Sequence, residues 1–266
     1  MRKMTNFYCA LALFALSTSV YAANPGEGKW VADEIFRAAN STGSTGLINM
    51  DSAYTIRDGD VSFNVGVASE SVGGTDYFHI PVSFVYGLSN RTEVGLATNY
   101  INASVGESGF AGAELKIKWR FRNQTEYFPA MAVGVGLMFP AGPATLNEVT
   151  DWGAKLNLLM SSEAAISDTT FIGMYVDIGG VSLFGSDNYY TADAGLLVPI
   201  SDDQKLQGIL EFNSVTRRAN PYLGTGDYTA ITPGLRYASE SFKLTFGAEA
   251  RSTSTNKLML NIGWEF

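Results

Sequence analysis

Leu258-Met259-Leu260-Asn261-Ile262-Gly263-Trp264-Glu265-Phe266 closes the chain with an apolar residue at every second position, ending on an aromatic. Strict alternation marks a β-strand with one greasy face, because successive side chains of a strand point to opposite sides. A soluble sheet would have to cover that face with whatever came after it, and nothing follows Phe266. The pattern is repeated upstream. Val61, Phe63, Val65 and Val67 oppose Ser62, Asn64, Gly66 and Ala68. Ala113, Leu115, Ile117, Trp119 and Phe121 oppose Glu114, Lys116, Lys118 and Arg120.

The tail resembles the last strand of bacterial outer-membrane barrels, and the other end of the chain agrees with export. Arg2 and Lys3 precede a short apolar core, Phe7 to Ala15, and Val20-Tyr21-Ala22 offers a signal-peptidase site with cleavage expected before Ala23. The apolar run is too short to span a bilayer as a helix. The single cysteine, Cys9, lies inside this leader, so the exported chain has no thiol and no disulfide. Losing Arg2 and Lys3 deepens the formal charge of −8 to −10, which argues against a nucleic-acid partner. A cysteine-free chain that is 46% hydrophobic, rich in Gly and aromatics, and built from alternating strands fits an all-β, closed antiparallel transmembrane barrel.

Twelve strand-like segments follow one another. They are 61–69, 76–86, 92–101, 110–122, 128–139, 152–161, 169–179, 189–200, 205–215, 228–238, 242–251 and 257–266. Each is close to the length a tilted strand needs to cross the bilayer. Short polar turns such as Leu88-Ser89-Asn90-Arg91 and Ser201-Asp202-Asp203-Gln204 alternate with looser connections such as Ala141–Asp151 and Arg217–Asp227. Outer-membrane barrels have short periplasmic turns and longer outer loops, and an even strand count puts both termini on the periplasmic side. Aromatics including Tyr86, Phe121, Phe139, Trp152, Phe242 and Trp264 cluster near strand ends, as interfacial girdles do. Pro81 and Pro233 fall inside strands and are expected at irregular positions of the ladder, since proline cannot donate to it.

Charges on the inner face require a wet lumen, because a dry core does not house four charges per strand. The lumen and selectivity candidates are Glu114, Lys116, Lys118, Arg120, Lys155, Asp177, Asp193, Glu211, Arg236, Lys243, Glu249, Arg251 and His79. Glu93, Lys205, Lys257 and Glu265 are expected on the same face. Lys116, Lys118 and Arg120 would form a basic ladder that favours anions, unless cross-strand ion pairs consume it.

Residues 23–60 break the strand pattern. Lys29–Asn40 carries Val31/Ile35 and Ala32/Phe36 at helical spacing. A Ser/Thr/Gly stretch over 40–46 and Leu47-Ile48-Asn49-Met50 follow. The segment reads equally as a periplasmic lid, a plug entering the lumen or a mobile tail. The chain thus divides into a leader (1–22), this N-terminal segment (23–60) and the barrel (61–266).

Gly46–Ile56 (GLINMDSAYTI) with Gly59-Asp60, the run Pro81–Leu96 (PVSFVYGLSNRTEVGL), and Pro199-Ile200-Ser201-Asp202 resemble the transporter-like outer-membrane barrels that include phenol-degradation MetA-pathway proteins. The resemblance spans roughly residues 46–266 and implies passage of small, aromatic or hydrophobic molecules.

Three functions follow for comparison. The first is a passive channel for a small-molecule solute. The second is a structural or surface-recognition barrel with a plugged lumen, in which loops carrying Asp187, Arg217, Arg218 and Tyr222 do the work and Arg217 and Arg218 meet lipopolysaccharide phosphates. The third is a lipid hydrolase, which needs a serine near His79, the only histidine; Ser69 or Ser71 would reach it only if the first hairpin shifted. Expected partners are outer-membrane lipid and lipopolysaccharide, and the barrel-assembly machinery through the strand ending in Phe266. No metal-ligand cluster or phosphate loop stands out, so no cofactor is expected.

Overall fold

The computed structural model describes residues 40–266 apart from 126, 147–151, 168–169, 184–187, 202, 221–223, 240 and 254. The expected leader and the Lys29–Asn40 helix lie outside the described residues, except for Asn40. The rest is a closed antiparallel barrel in which every strand pairs with its sequence neighbour and β1 closes onto β12. The strands are β1 (Val61–Val72), β2 (Thr75–Ser89), β3 (Thr92–Ala103), β4 (Ser108–Arg122), β5 (Ala130–Phe139), β6 (Gly153–Ser167), β7 (Thr170–Leu183), β8 (Tyr189–Pro199), β9 (Leu206–Asn220), β10 (Gly224–Ala238), β11 (Phe242–Arg251) and β12 (Asn256–Glu265). Closure removes both sheet edges, so every strand finds a hydrogen-bonding neighbour on each side, the condition for crossing lipid.

The seam shows how the last strand acts. Phe63 lies opposite Trp264 and Asn64 opposite Gly263. Val61 N–H donates to Phe266 O at 2.9 Å, and Phe266 N–H returns the bond to Val61 O at 2.8 Å. Both ends of the barrel domain therefore sit at one rim, the termini end; the opposite rim is the loop end. In outer-membrane barrels the termini end faces the periplasm.

The two faces separate as their alternation requires. In β4, Leu115 and Trp119 are 40% and 56% exposed on the outside, while Lys116 and Lys118 are 3% and 0% exposed inside. Aromatics form a band near each rim. Phe63, Phe242 and Trp264 touch at the termini end, with ring centroids 6.3 and 6.1 Å apart. Tyr100 meets Phe110 at 5.6 Å, and Phe139 meets Trp152 at 5.7 Å, toward the loop end. Such rings anchor at the lipid–water interface.

Three features differ from the sequence expectation or refine it. The strands run further than a bilayer needs: β9 and β10 have 15 residues each and pair as far as Gly224 opposite Asn220, so the loose connection expected over Arg217–Asp227 is mostly ladder. Hydrogen bonding to a neighbour continues beyond the membrane wherever both strands are long enough to supply it. The loop-end connection between β1 and β2 is only Gly73-Gly74, both at positive φ (59° and 86°), the two-residue turn that glycine permits. The prolines sit where expected. Pairing of β1 with β2 lapses between Val65–Val82 and Ala68–His79, around Pro81; pairing of β10 with β11 lapses between Ile231–Ala250 and Gly234–Gly247, around Pro233.

The interior core is not made by the barrel alone. Leu47, Ile48, Met50, Ala53 and Tyr54 are buried inside it. They pack with Ala130, Ala132, Leu159, Tyr175, Leu197 and Ile209 of the wall. Residues 40–56 thus fill the termini half of the lumen as a plug.

Candidate functional site

The plug is short and nearly free of regular structure, so its backbone N–H and C=O groups need partners from the wall. The wall supplies charged ones. Glu93 of β3 accepts Ser44 Oγ–H (2.8 Å), Thr45 N–H (3.0 Å) and Ile56 N–H (2.9 Å). Glu211 of β9 accepts Ile48 N–H (2.6 Å) and Asn49 N–H (3.1 Å). Arg236 of β10 donates through Nη2 to Gly46 O (3.2 Å) and Leu47 O (3.0 Å). Lys118 donates to Ser52 O (3.0 Å) and pairs with Glu93 at 2.9 Å, its direct cross-strand neighbour. Lys116 pairs with Asp51 of the plug at 2.8 Å. Burial pushes the Asp51 carboxyl up, but Lys116, with Lys155 and Lys118 behind it, holds it well below the ordinary carboxylate range. Hydrogen bonds to charged groups are worth about 1.5–3 kcal/mol net, roughly twice the neutral kind, so a few wall residues fix the whole segment.

Two wall glycines let the plug lie this close. A Cβ on Gly95 would come within 1.8 Å of Gly43 O, and one on Gly87 within 1.8 Å of Arg57 O. Gly87 and Arg57–Asp60 bond reciprocally as well: Gly59 N–H donates to Gly87 O and Gly87 N–H to Asp60 O, both at 3.0 Å. These glycines are there for approach, not for backbone freedom.

Beyond the plug, in the loop-end half of the lumen, lies a cavity of about 280 Å³. Its floor is the plug, through Thr42, Asn49 and Asp51. One wall carries a connected chain of charges. Asn49 Nδ2–H donates to Glu249 (3.1 Å), and Glu249 binds Arg251. Arg251 reaches Glu70 at 3.1 Å, and Glu70 reaches His79 Nε2 at 2.8 Å. The facing wall carries Glu114, Lys155, Asp177 and Asp193.

The candidates read from the sequence therefore separate into three groups. Lys116, Lys118, Glu211 and Arg236 hold the plug. His79, Glu114, Lys155, Asp177, Asp193, Glu249 and Arg251 line the cavity. Arg120 and Lys243 belong to the termini rim, where Arg120 donates to Asn90 O and Lys243 pairs with Glu265 at 2.6 Å. The basic ladder expected to attract anions is not presented to open solvent: Lys116 and Lys118 are capped by the plug. Lys205 is corrected. It lies in the turn before β9, about half exposed, 3.9 Å from Asp203, because that strand begins one residue later than expected. In the same turn, the Ser201 hydroxyl donates to Asp203 (2.5 Å) and holds its carboxyl below the usual value.

The expected first strand, 61–69, stops one residue short of Glu70, whereas β1 continues to Val72. Extending the alternation by that one residue places Glu70 on the inner face with Ala68. Sequence reasoning also missed Asn157 and Asn213, since neutral amides carry no charge signal. His79 is buried between Glu70 and Asn99, whose Nδ2 lies 3.0 Å from Nδ1. Ser69 and Ser71 are exposed on the outer face of β1, opposite in direction to His79. Asp187 and Tyr222 lie outside the described residues, as do the side chains of Arg217 and Arg218.

No protein-family model and no curated protein matches the chain. Solved structures do. An outer-membrane channel from Pseudomonas putida F1 superposes with a TM-score of 0.58 at 13% identity, over 82% of this chain and 100% of that one. The NanC porin superposes with a TM-score of 0.53 at 10% identity, over 76% and 98%. At these identities the likeness is one of fold, and the fold is that of the outer-membrane barrels.

Proposed function

We propose that this barrel is an outer-membrane channel through which small solutes pass passively, with residues 40–56 as a plug that narrows the termini half of its path. The observation that carries this reading is the polar, charged cavity of about 280 Å³ inside a cylinder whose outer face is apolar. Structural and recognition barrels need an apolar outside too, but not a roomy, wet interior. The two structures of similar fold, a channel and a porin by name, support the same reading. The resemblance of 46–56 and 81–96 to transporter-like barrels of the MetA-pathway type would bring aromatic or hydrophobic solutes. The carboxyls, amides and cations of the cavity wall favour polar ones instead. Export with cleavage before Ala23, recognition of the strand ending in Phe266 by the assembly machinery, and contact of the rim with lipopolysaccharide complete the proposal.

The test is unitary conductance in planar bilayers for the exported chain and for a variant lacking residues 40–56. The full chain should conduct, and the deletion should raise the conductance. A well-folded barrel that passes no current in either form sinks the channel. That outcome would favour the second reading, a closed surface-recognition barrel, whose specific support is the dense ionic seat of the plug.

A further inference from the structure

The plug does more than occupy space, because the wall it lies against is basic. Lys116 Nζ donates to Thr42 O and Thr42 Oγ1, both at 3.2 Å, and pairs with Asp51 at 2.8 Å. Lys118 Nζ donates to Thr45 O (3.3 Å), to the Thr45 hydroxyl and to Ser52 O (3.0 Å), and pairs with Glu93. An ammonium group has three donors and no acceptor, so both lysines spend their full capacity on these contacts. Arg236 spends Nη2 on Gly46 O and Leu47 O, and Nε on Thr245 Oγ1 at 3.2 Å. Lys116, Lys118 and Arg236 are 3%, 0% and 1% exposed. An anion in the lumen therefore finds none of the three.

Most of this covering is done by neutral oxygens. Asp51 is the single charged residue in 40–56. The same segment also covers Glu93 and Glu211, which are 2% and 0% exposed. What it hides is thus one net positive charge, and Asp51 adds one negative. The lumen becomes two charges more negative than the bare wall would be. Above the plug, six carboxyl side chains face Lys155, Arg251 and Lys257, and Arg251 is itself paired with Glu70 and Glu249. An ion crossing a narrow lumen responds to the charges left uncovered along its path.

We infer that residues 40–56 are the ion-selectivity element of this channel: by covering Lys116, Lys118 and Arg236 they shift the preference of the lumen from anions toward cations. The inference deepens the channel reading and rests on it. It also reverses the preference that the basic row of β4 implies when the wall is read alone.

The experiment is the reversal potential across planar bilayers under a KCl gradient. The full exported chain should pass potassium in preference to chloride. Removing residues 40–56 should lower the potassium-to-chloride permeability ratio by about twofold or more, the effect of an unmasked charge a few ångströms from a hydrated ion. Gly95→Val serves if the deletion fails to fold. Gly95 is the cross-strand partner of Lys116, and a side chain there strikes Gly43 O, next to the Thr42 oxygens that cover the lysine. This variant should move the ratio in the same direction. Adding Lys116→Gln and Arg236→Gln to the plugless chain should return the ratio toward potassium. Mere widening of the pore predicts no such return. Chloride preference in the full chain overturns the inference. So does a shift on deletion that the two neutralisations leave untouched. Conductance with one reversal potential in all forms overturns the selectivity element and leaves the channel standing; no current in any form overturns the channel and the selectivity with it.

Discussion

Lys118 Nζ is buried completely and has Glu93, Ser52 O and Thr45 around it. Removing one member of such a pair leaves the other charge in a desolvated place, which costs about 3–5 kcal/mol, whereas removing both often costs little. Lys118→Met should therefore destabilise the folded protein in urea titration by roughly that amount. The Glu93→Gln/Lys118→Met combination should recover part of the loss, as coupled neighbours do. Asp51 behaves differently with pH. Its folded-state value is lowered, so its contribution is fully present above the ordinary carboxylate value near 3.8 and is lost only as pH falls below that, through the folded value. The effect of Asp51→Asn on protease access to residues 40–56 should thus be the same at pH 8 and at pH 5. A variant that differs from the wild type at one of these pH values and not at the other would show that the Lys116–Asp51 pair titrates within that interval.

At the scale of elements, β4 and the plug make opposite demands. β4 needs an unbroken apolar outer row, and Ile117 sits within it, half exposed to lipid. Ile117→Lys should cost about 2–4 kcal/mol of folding free energy in lipid vesicles, measured by the urea dependence of heat-modifiable mobility, because a lysine at mid-depth faces hydrocarbon. The plug needs room more than contact. Gly95→Val should displace Gly43 and loosen the seat, raising conductance while leaving the barrel folded, since the clash is with the plug backbone and the ladder of β3 is untouched. Unchanged conductance in this variant would show that the segment over 40–46 does not obstruct the path. The motif that carries the family resemblance gains a physical meaning here. Glu93 and Gly95, in its Glu-Val-Gly-Leu step, are among the wall residues that receive the plug, and Gly87, in its Tyr-Gly-Leu step, receives Arg57 just after it. The other resembling stretch, Gly46–Ile56, is the plug itself.

For the whole molecule, the barrel and its plug divide the lumen into a termini half narrowed by residues 40–56 and a polar loop-end half. His79 belongs to the loop-end half, in a charge chain that runs through Glu70, Arg251 and Glu249 to the plug's Asn49. His79→Ala should leave lipid hydrolysis at background in both forms of the protein, assayed on phospholipid micelles. Activity present in the wild type and lost in the variant would revive the hydrolase reading.

The sequence by itself determined the number and order of the strands, the closing seam, the two-faced wall and the placement of the prolines, while several strand ends lie beyond the segments it outlines. A period of two residues is a local signal, and lipid outside with water inside punishes every slip of register, as β4 shows with Trp119 out and Lys118 in. Only the tertiary structure decided what the inward charges face. Ile48 meets Glu211 across 163 residues of sequence and Leu47 meets Arg236 across 189, through backbone atoms that every residue type shares. A lysine facing a solute and a lysine facing a plug look the same in a strand pattern. The difference is made by whichever segment reaches the lumen first, and no local periodicity encodes that.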